Sequence, residues 1–229
     1  MSKRILYHNI QHDYGREPLL SSVSVSLDRG KAVLLAGPNG SGKTTMMRIM
    51  AGLLAPNEGR IALDDHILSW RQARRQLLNR TVYLHQEPYM FDASVEKNMA
   101  FALKSKRSAA SRKRVADAMD IARLTDRARQ PAKSLSGGER RRLAIARAWL
   151  TGAEFMLLDE PTVNLDTTAR ADTVDLMQEL HGAGVGLVLS CHTPEEISAF
   201  IDETVHLTSR HDKGQHDRKD QEARPNSYS

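Results

Sequence analysis

Two stretches of this chain are made of residue types that hold anions. The first is GPNGSGKTT at 37–45, where Gly37, Gly40, Gly42, Lys43 and Thr44 are spaced as G-x-x-x-x-G-K-[ST]. Glycines at these places let backbone N–H groups approach phosphate oxygens with no side chain in the way. Pro38, Asn39, Ser41 and Thr45 complete the loop, and the helix start that follows adds a field favourable to negative charge. Lys43 is expected to reach the β- and γ-phosphates of ATP, and the Thr44 hydroxyl to bind Mg²⁺. The second stretch is SLSGGERRRLAIARA at 134–148. Ser136 followed three residues later by Glu139 has capping-box form, so Ser136 is expected to cap a helix. The N–H groups of Gly137 and Gly138 would then face outward, ready for an anion. Arg140, Arg141 and Arg142 read as a solvated basic turn.

A third stretch supplies acids. FMLLDE at 155–160 is a buried apolar strand from whose carboxyl end Asp159 emerges, the edge at which such sheets hold ligands. Asp159 is expected to hold Mg²⁺, and Glu160 to polarise an attacking water.

The elements that must position these residues alternate. Residues 4 to 10 and VSVSL at 23–27 read as strands, with HDYGREP a loop between them. KAVLLAG is a buried strand and GKTTMMRIMAGLL a helix ended by APNEG. RIALDDHIL reads as a hairpin turning at Asp64–Asp65, and TVYLHQ as a strand. From 93 to 130 alanine, lysine and arginine dominate and the reading is helical. A helix over about 167–181, a strand VGLVLSCH, a helix from Pro194 and a strand ETVHL follow. Strand–helix alternation predicts an α/β fold: a P-loop core with a mainly parallel sheet, a small antiparallel β subdomain and an inserted helical subdomain at about 93–150. Residues 208–229 lack an apolar face and are expected to be a disordered tail.

Composition narrows the classes. The chain has 229 residues, which suits one sizeable domain with a subdomain, and its net charge of +5 fits a solvated surface. No apolar run approaches the roughly 18 residues that cross a bilayer, and no leader-like apolar stretch opens the chain. A single cysteine, Cys191, forms no internal disulfide and reads as strand-end packing. The run KSKRSAASRKR at 104–114 reads as a solvated helix connection.

In this order, GPNGSGKT, Gln86 after a strand, LSGGE, LLDEPT and His192 after another strand resemble the ATP-binding subunits of ABC transporters, over residues 1 to about 207. The resemblance implies an ATPase with ATP and Mg²⁺ at its site. It implies that Tyr14 stacks on adenine, with Tyr7 a weaker candidate, and that Gln86 contacts Mg²⁺ or the water. His192 would donate to the γ-phosphate, and Asp166 of VNLD would sit at the loop facing a second subunit. Val163 and Asn164 depart from the family's usual Ser-Ala there, and Arg140 from its usual glutamine.

The partners implied are a homodimer or a pair with a similar ATPase subunit, arranged head to tail. Each ATP would lie between one chain's phosphate loop and the other's LSGGE. A separate transmembrane permease and a substrate-binding protein are implied too, and no nucleic acid. That places the subunit at the cytoplasmic face of the inner membrane. HQEPYMFDASVEKNMAFAL at 85–103 is similar to short ATPases of importers for tungstate, molybdate or phosphate. The rival class, soluble ABC ATPases that act on DNA or ribosomes, needs long coiled coils or tandem ATPase domains. Neither is visible here.

Overall fold

The computed structural model describes residues 4–15, 18–103, 108–191 and 193–208. In chain order the elements are β1 (Arg4–Asp13), β2 (Pro18–Asp28), β3 (Ala32–Ala36), α1 (Lys43–Met50), β4 (Glu58–Leu63), β5 (His66–Leu68), α2 (Trp70–Arg80) and β6 (Thr81–Leu84). Then come α3 (Val95–Ala100), α4 (Ala109–Ile121), α5 (Gly137–Leu150), β7 (Phe155–Asp159), α6 (Thr167–Gly182), β8 (Gly186–Ser190) and β9 (Glu203–His206).

Among the described residues the strands form two sheets. One is antiparallel with order β2-β1-β4-β5; the other is parallel with order β6-β7-β8-β3-β9. The parallel strands are buried on both faces, so they read as continuous apolar runs. Along β7, Phe155 and Leu157 face the layer containing α1 and the antiparallel sheet. Met156 and Leu158 alternate with them and face α5 and α6. A third apolar cluster joins α3, α4 and α5, held by Val95, Met99, Val115, Ala118, Leu143 and Ala146. No helix among the described residues is long and apolar enough to cross a membrane.

Four expectations about the elements change. Helix α2 was not foreseen: only Ala73 and Leu77 of its residues are buried, so its apolar period is faint. Its start does carry a capping box between Ser69 and Gln72. The helix expected from Pro194 is two short 3₁₀ turns, Pro194–Glu196 and Ser198–Phe200. The chain has no length for more, because the Asp202 N–H already donates to Ala32 O at 2.9 Å to enter β9. Strand β1 runs on to Asp13, into the expected loop, and β2 begins at Pro18. The helical reading over 93–130 resolves into α3, α4 and a 3₁₀ turn at Thr125–Arg127; 104–107 lie outside the described residues, as do 209–229 of the expected tail.

Candidate functional site

The loop after β3 is shaped by what lies against it. Leu207 N–H, just past β9, donates to Ala36 O at 2.7 Å. A Cβ on Gly37 would fall 2.4 Å from Leu207 O and 2.7 Å from Ser41 Oγ, so only glycine lets the loop leave the strand here. Gly42 begins α1 in the left-handed region, φ 96°, and a Cβ there would meet Leu20 Cδ2 at 2.6 Å. No side chain caps α1. Lys43 folds back over the loop, its Nζ donating to Gly37 O at 2.7 Å and to Pro38 O at 3.1 Å. Ser41 Oγ is buried with no hydrogen-bond partner among the described residues. Pro38, Asn39 and Gly40 are exposed, and Thr45 is buried in α1. An uncapped helix start, a lysine ammonium held over the loop by its own carbonyls and an orphaned hydroxyl on one loop fit a bound phosphate group.

The acids meet this loop at the carboxyl edge of the parallel sheet. Thr44 Oγ1 donates to Asp159 Oδ2 at 2.8 Å. Tyr83 OH donates to the same oxygen at 2.9 Å, and Ser190 Oγ to Oδ1 at 2.7 Å. Ser190 Oγ in turn accepts from Glu160 N–H at 2.9 Å. One serine on β8, opposite Asp159 in register, thus orients the Asp159 carboxylate and fixes the backbone of Glu160. Sequence reasoning missed Ser190 and Tyr83. The signal was their place, at the ends of the strands flanking β7. Burial, reinforced by the charge of Asp159, raises the Tyr83 pKa well above that of a free tyrosine, so Tyr83 stays a donor. Glu160 leaves the strand at φ 49°, left-handed backbone that a glutamate adopts only under constraint. The hydroxyl–carboxylate contact is a hard-oxygen donor set, and the described residues hold no cluster of three or more His, Cys, Asp or Glu. One carboxylate and one hydroxyl, completed by phosphate oxygens, fit Mg²⁺ better than a closed protein cage does.

The second anion-type stretch lies elsewhere. Ser136 Oγ accepts from Glu139 N–H at 3.2 Å and Glu139 Oε2 accepts from Ser136 N–H at 2.8 Å, the reciprocal cap expected from the sequence. The bond from Ser136 N–H, against a smaller opposing effect of burial, lowers the Glu139 pKa. A cleft of about 450 Å³ opens beside this start, lined by Gln86, Glu87, Pro88, Gly137, Arg140, Arg141, Val163, Asn164 and Leu165. None of residues 37–45 lines it. Gln86 thus shares a cleft with Gly137.

Three expectations are corrected here. Gly138 is not exposed beside Gly137: it is buried, and a Cβ on it would fall 2.4 Å from Ala169 Cβ on α6. Arg141 and Arg142 are not a solvated face but are buried. Arg142 donates to Ala122 O at 2.9 Å and pairs with Asp172 at 3.1 Å, tying α5 to α4 and α6. Burial lowers the Arg141 pKa, opposed by the charges of Asp159, Glu160 and Glu87. Tyr7 is a core residue, its OH donating to Met50 O at 2.7 Å, and offers no face to a ligand.

Tyr14 is 58% exposed. Asp166 caps α6, accepting from Ala169 N–H at 2.9 Å. Cys191 is buried against β8 and its neighbours, as expected. His192 lies outside the described residues.

Known proteins agree with this geometry. Residues 20–163 match the family described as ABC transporter. The phosphate import ATP-binding protein PstB 2 of Natronomonas pharaonis is 35% identical over 212 residues, 86% of this chain and 74% of the relative. The nickel import ATP-binding protein LarO of Lactiplantibacillus plantarum is 31% identical over 212 residues, 89% of this chain and 88% of the relative. Among solved structures, a dimeric ATP-binding cassette in a post-hydrolysis state bound to ADP and Pi shares the fold. Its TM-score is 0.75 at 24% identity, over 90% of this chain and 96% of that one. Glycine-rich loop, adjacent acids and capped LSGGE helix stand on one fold, and the chain belongs to the ABC transporter family as an ATP-binding ATPase subunit.

Proposed function

We propose that this chain works as one of a head-to-tail pair, with itself or with a similar subunit, and that ATP-driven closing and opening of the pair powers import through a separate membrane permease. The pair would sit at the cytoplasmic face of the inner membrane, served by a substrate-binding protein. Residues 1–207 act as the ATPase domain, with about 93–150 as its inserted helical part and 208–229 as a tail outside it.

In this reading Gly37 to Thr45 hold the triphosphate, and Lys43 turns from its own carbonyls to the β- and γ-phosphates. Thr44, Asp159 and Gln86 would hold Mg²⁺, which supplies charge neutralisation on the phosphates. Glu160 takes the proton of the attacking water, held in place through Ser190, and His192 donates to the γ-phosphate. Ser136 and Gly137 of the partner chain, with the neighbouring Gly138 backbone, close over that phosphate, and Asp166 lies at the loop between the two chains.

One observation carries the pairing. The cleft beside Gly137 contains no phosphate-loop residue, which supports the reading that the two anion-type starts of one chain serve different nucleotides. The dimeric state of a cassette of the same fold supports pairing.

The permease would dock beyond Gln86, where Tyr89, Phe91 and Phe101 stack with centroids 5.3 and 4.6 Å apart and remain exposed. A surface aromatic cluster of this kind is the signature of an interface centre. Import is supported by the relatives, which are ATP-binding proteins of phosphate and nickel import. For substrate class, the segment 85–103 favours an oxyanion such as phosphate, tungstate or molybdate. The ATPase fold itself does not choose between anion and nickel.

The pairing is tested by mixing two damaged chains, Lys43→Ala and Ser136→Arg. Each homodimer has two impaired sites. In a mixed dimer one site collects both defects, and the other combines an intact phosphate loop with an intact LSGGE. ATP-dependent cross-linking of the mixture should exceed that of either homodimer. Equal cross-linking would refute the shared site.

A further inference from the structure

Strand β1 carries an imidazole that no hydrogen bond accounts for. His12 is 6% exposed, and both its ring nitrogens are buried without a partner among the described residues. A buried polar group left unpaired destabilises a fold, so an aliphatic side chain such as leucine would serve packing better here. What the ring does touch is Tyr14. The two centroids are 4.8 Å apart and the planes meet at 84°, an edge-to-face contact.

The backbone delivers His12 to this place deliberately. His12 stands opposite Leu20 on β2, and the register slips on both sides of it, between Ile10 and His12 and between His12 and Asp13. Bulges of this type re-aim side chains beside functional sites. Leu20 is the residue whose tip packs where a Gly42 Cβ would be. Gly42, Leu20, His12 and Tyr14 therefore form a run of neighbours from the start of α1 to the exposed tyrosine. Asp13 N–H, bonded to Asn57 Oδ1 at 3.0 Å, pins the backbone between the two rings.

We infer that His12 is a positioning residue for Tyr14: its ring holds the tyrosine upright at a fixed offset from the phosphate loop, and so sets how well the chain grips the nucleobase. This rests on Tyr14 being the adenine platform. A half-exposed tyrosine loses rotamer freedom when it binds a base, and a ring already fixed by an edge contact has less to lose. His12 acts through Tyr14 and makes no hydrogen bond to Lys43, Thr44 or Asp159.

The test compares ATP with inorganic triphosphate, which has no base, each titrated with Mg²⁺ into the full chain. Tyr14→Ala should weaken ATP and leave triphosphate unchanged. His12→Leu, which keeps the volume but not the aromatic edge, should weaken ATP about two- to ten-fold, again with triphosphate unchanged. His12→Phe should bind ATP like the unmodified chain. If Tyr14→Ala leaves ATP binding intact, the platform reading fails and the inference falls with it. If Tyr14→Ala weakens ATP and His12→Leu does not, the platform stands and His12 is refuted alone. Parallel loss of ATP and triphosphate in His12→Leu would mean a structural role and also refutes it. Should His12→Leu fail to fold, weakened ATP binding by folded His12→Phe would overturn the inference, and unchanged binding would support it.

Discussion

Two helix starts on this chain carry glycines and invite anions, yet they are finished differently. The start of α1 follows a left-handed glycine and has no side-chain cap, and Lys43 turns to the loop's own carbonyls. The start of α5 is closed by a reciprocal cap between Ser136 and Glu139. The first leaves its donors for a ligand to satisfy. The second satisfies part of itself before anything binds. The contrast suits the proposed division of labour: one start captures the triphosphate, the other is a preformed surface that closes over it from the partner.

The largest effect belongs to the acid between them. With Glu160→Gln, ATP binding should persist and turnover should fall about 10²- to 10⁴-fold, the usual cost of losing a general base. Hydrolysis would no longer reopen the pair, so gel filtration with ATP and Mg²⁺ should show a persistent dimer. A slow enzyme that stays monomeric would leave Glu160 as the base but break the link between the two starts. Unchanged turnover would remove Glu160 from the chemistry.

The glycines should fail for different reasons. Gly42→Ala combines left-handed backbone with a clash on Leu20, and Gly138→Ala clashes with Ala169 at ordinary helical backbone. Each should lose about 1–3 kcal/mol of stability. In a chain of this size that lowers the melting temperature by roughly 2–4 °C per kcal/mol. Ala169→Gly should return part of the loss in Gly138→Ala, because it empties the space the new methyl needs. It should do nothing for Gly42→Ala. Equal rescue of both, or of neither, would show that the starts are not shaped by these separate contacts.

How legible this was depends on whether a residue's partners are near in sequence. The phosphate loop, the acid pair and the Ser136 cap each rest on spacings within nine residues, and all three were readable. Gly138 looked outward because its obstacle, Ala169, lies on another helix. Arg142 looked solvated because Asp172 and the Ala122 carbonyl arrive from α6 and α4. Ser190 was invisible as an orienting residue until β7 and β8 were set in register. Tyr7 and Tyr14 are alike by type, and only their places, one on the core face of β1 and the other just past its end, distinguish a core ring from an exposed one. Helix α2 had a readable cap, but two buried residues in eleven give too weak a period to announce a helix.

The smallest effect separates the cap from the charge that makes it. Glu139 brings a carboxylate to the very start proposed to receive a phosphate, and like charges there oppose each other. Glu139→Gln keeps an acceptor for Ser136 N–H and removes the charge. The fold should lose about 0.3–1 kcal/mol, the scale of a charge at a helix start, while ATP-dependent pairing tightens by a similar amount, about two- to five-fold. The acid side of the stability curve should flatten too. Folding lowers the Glu139 pKa, so its stabilisation is present above the ordinary carboxylate range and is lost as pH falls through the folded value. In Glu139→Gln that loss has no group to come from, and thermal melts between neutral and acid pH should differ less than in the unmodified chain. Stability and pairing are thus expected to move in opposite directions. If both fall together, the carboxylate is needed only for the cap, and no anion faces the start of α5.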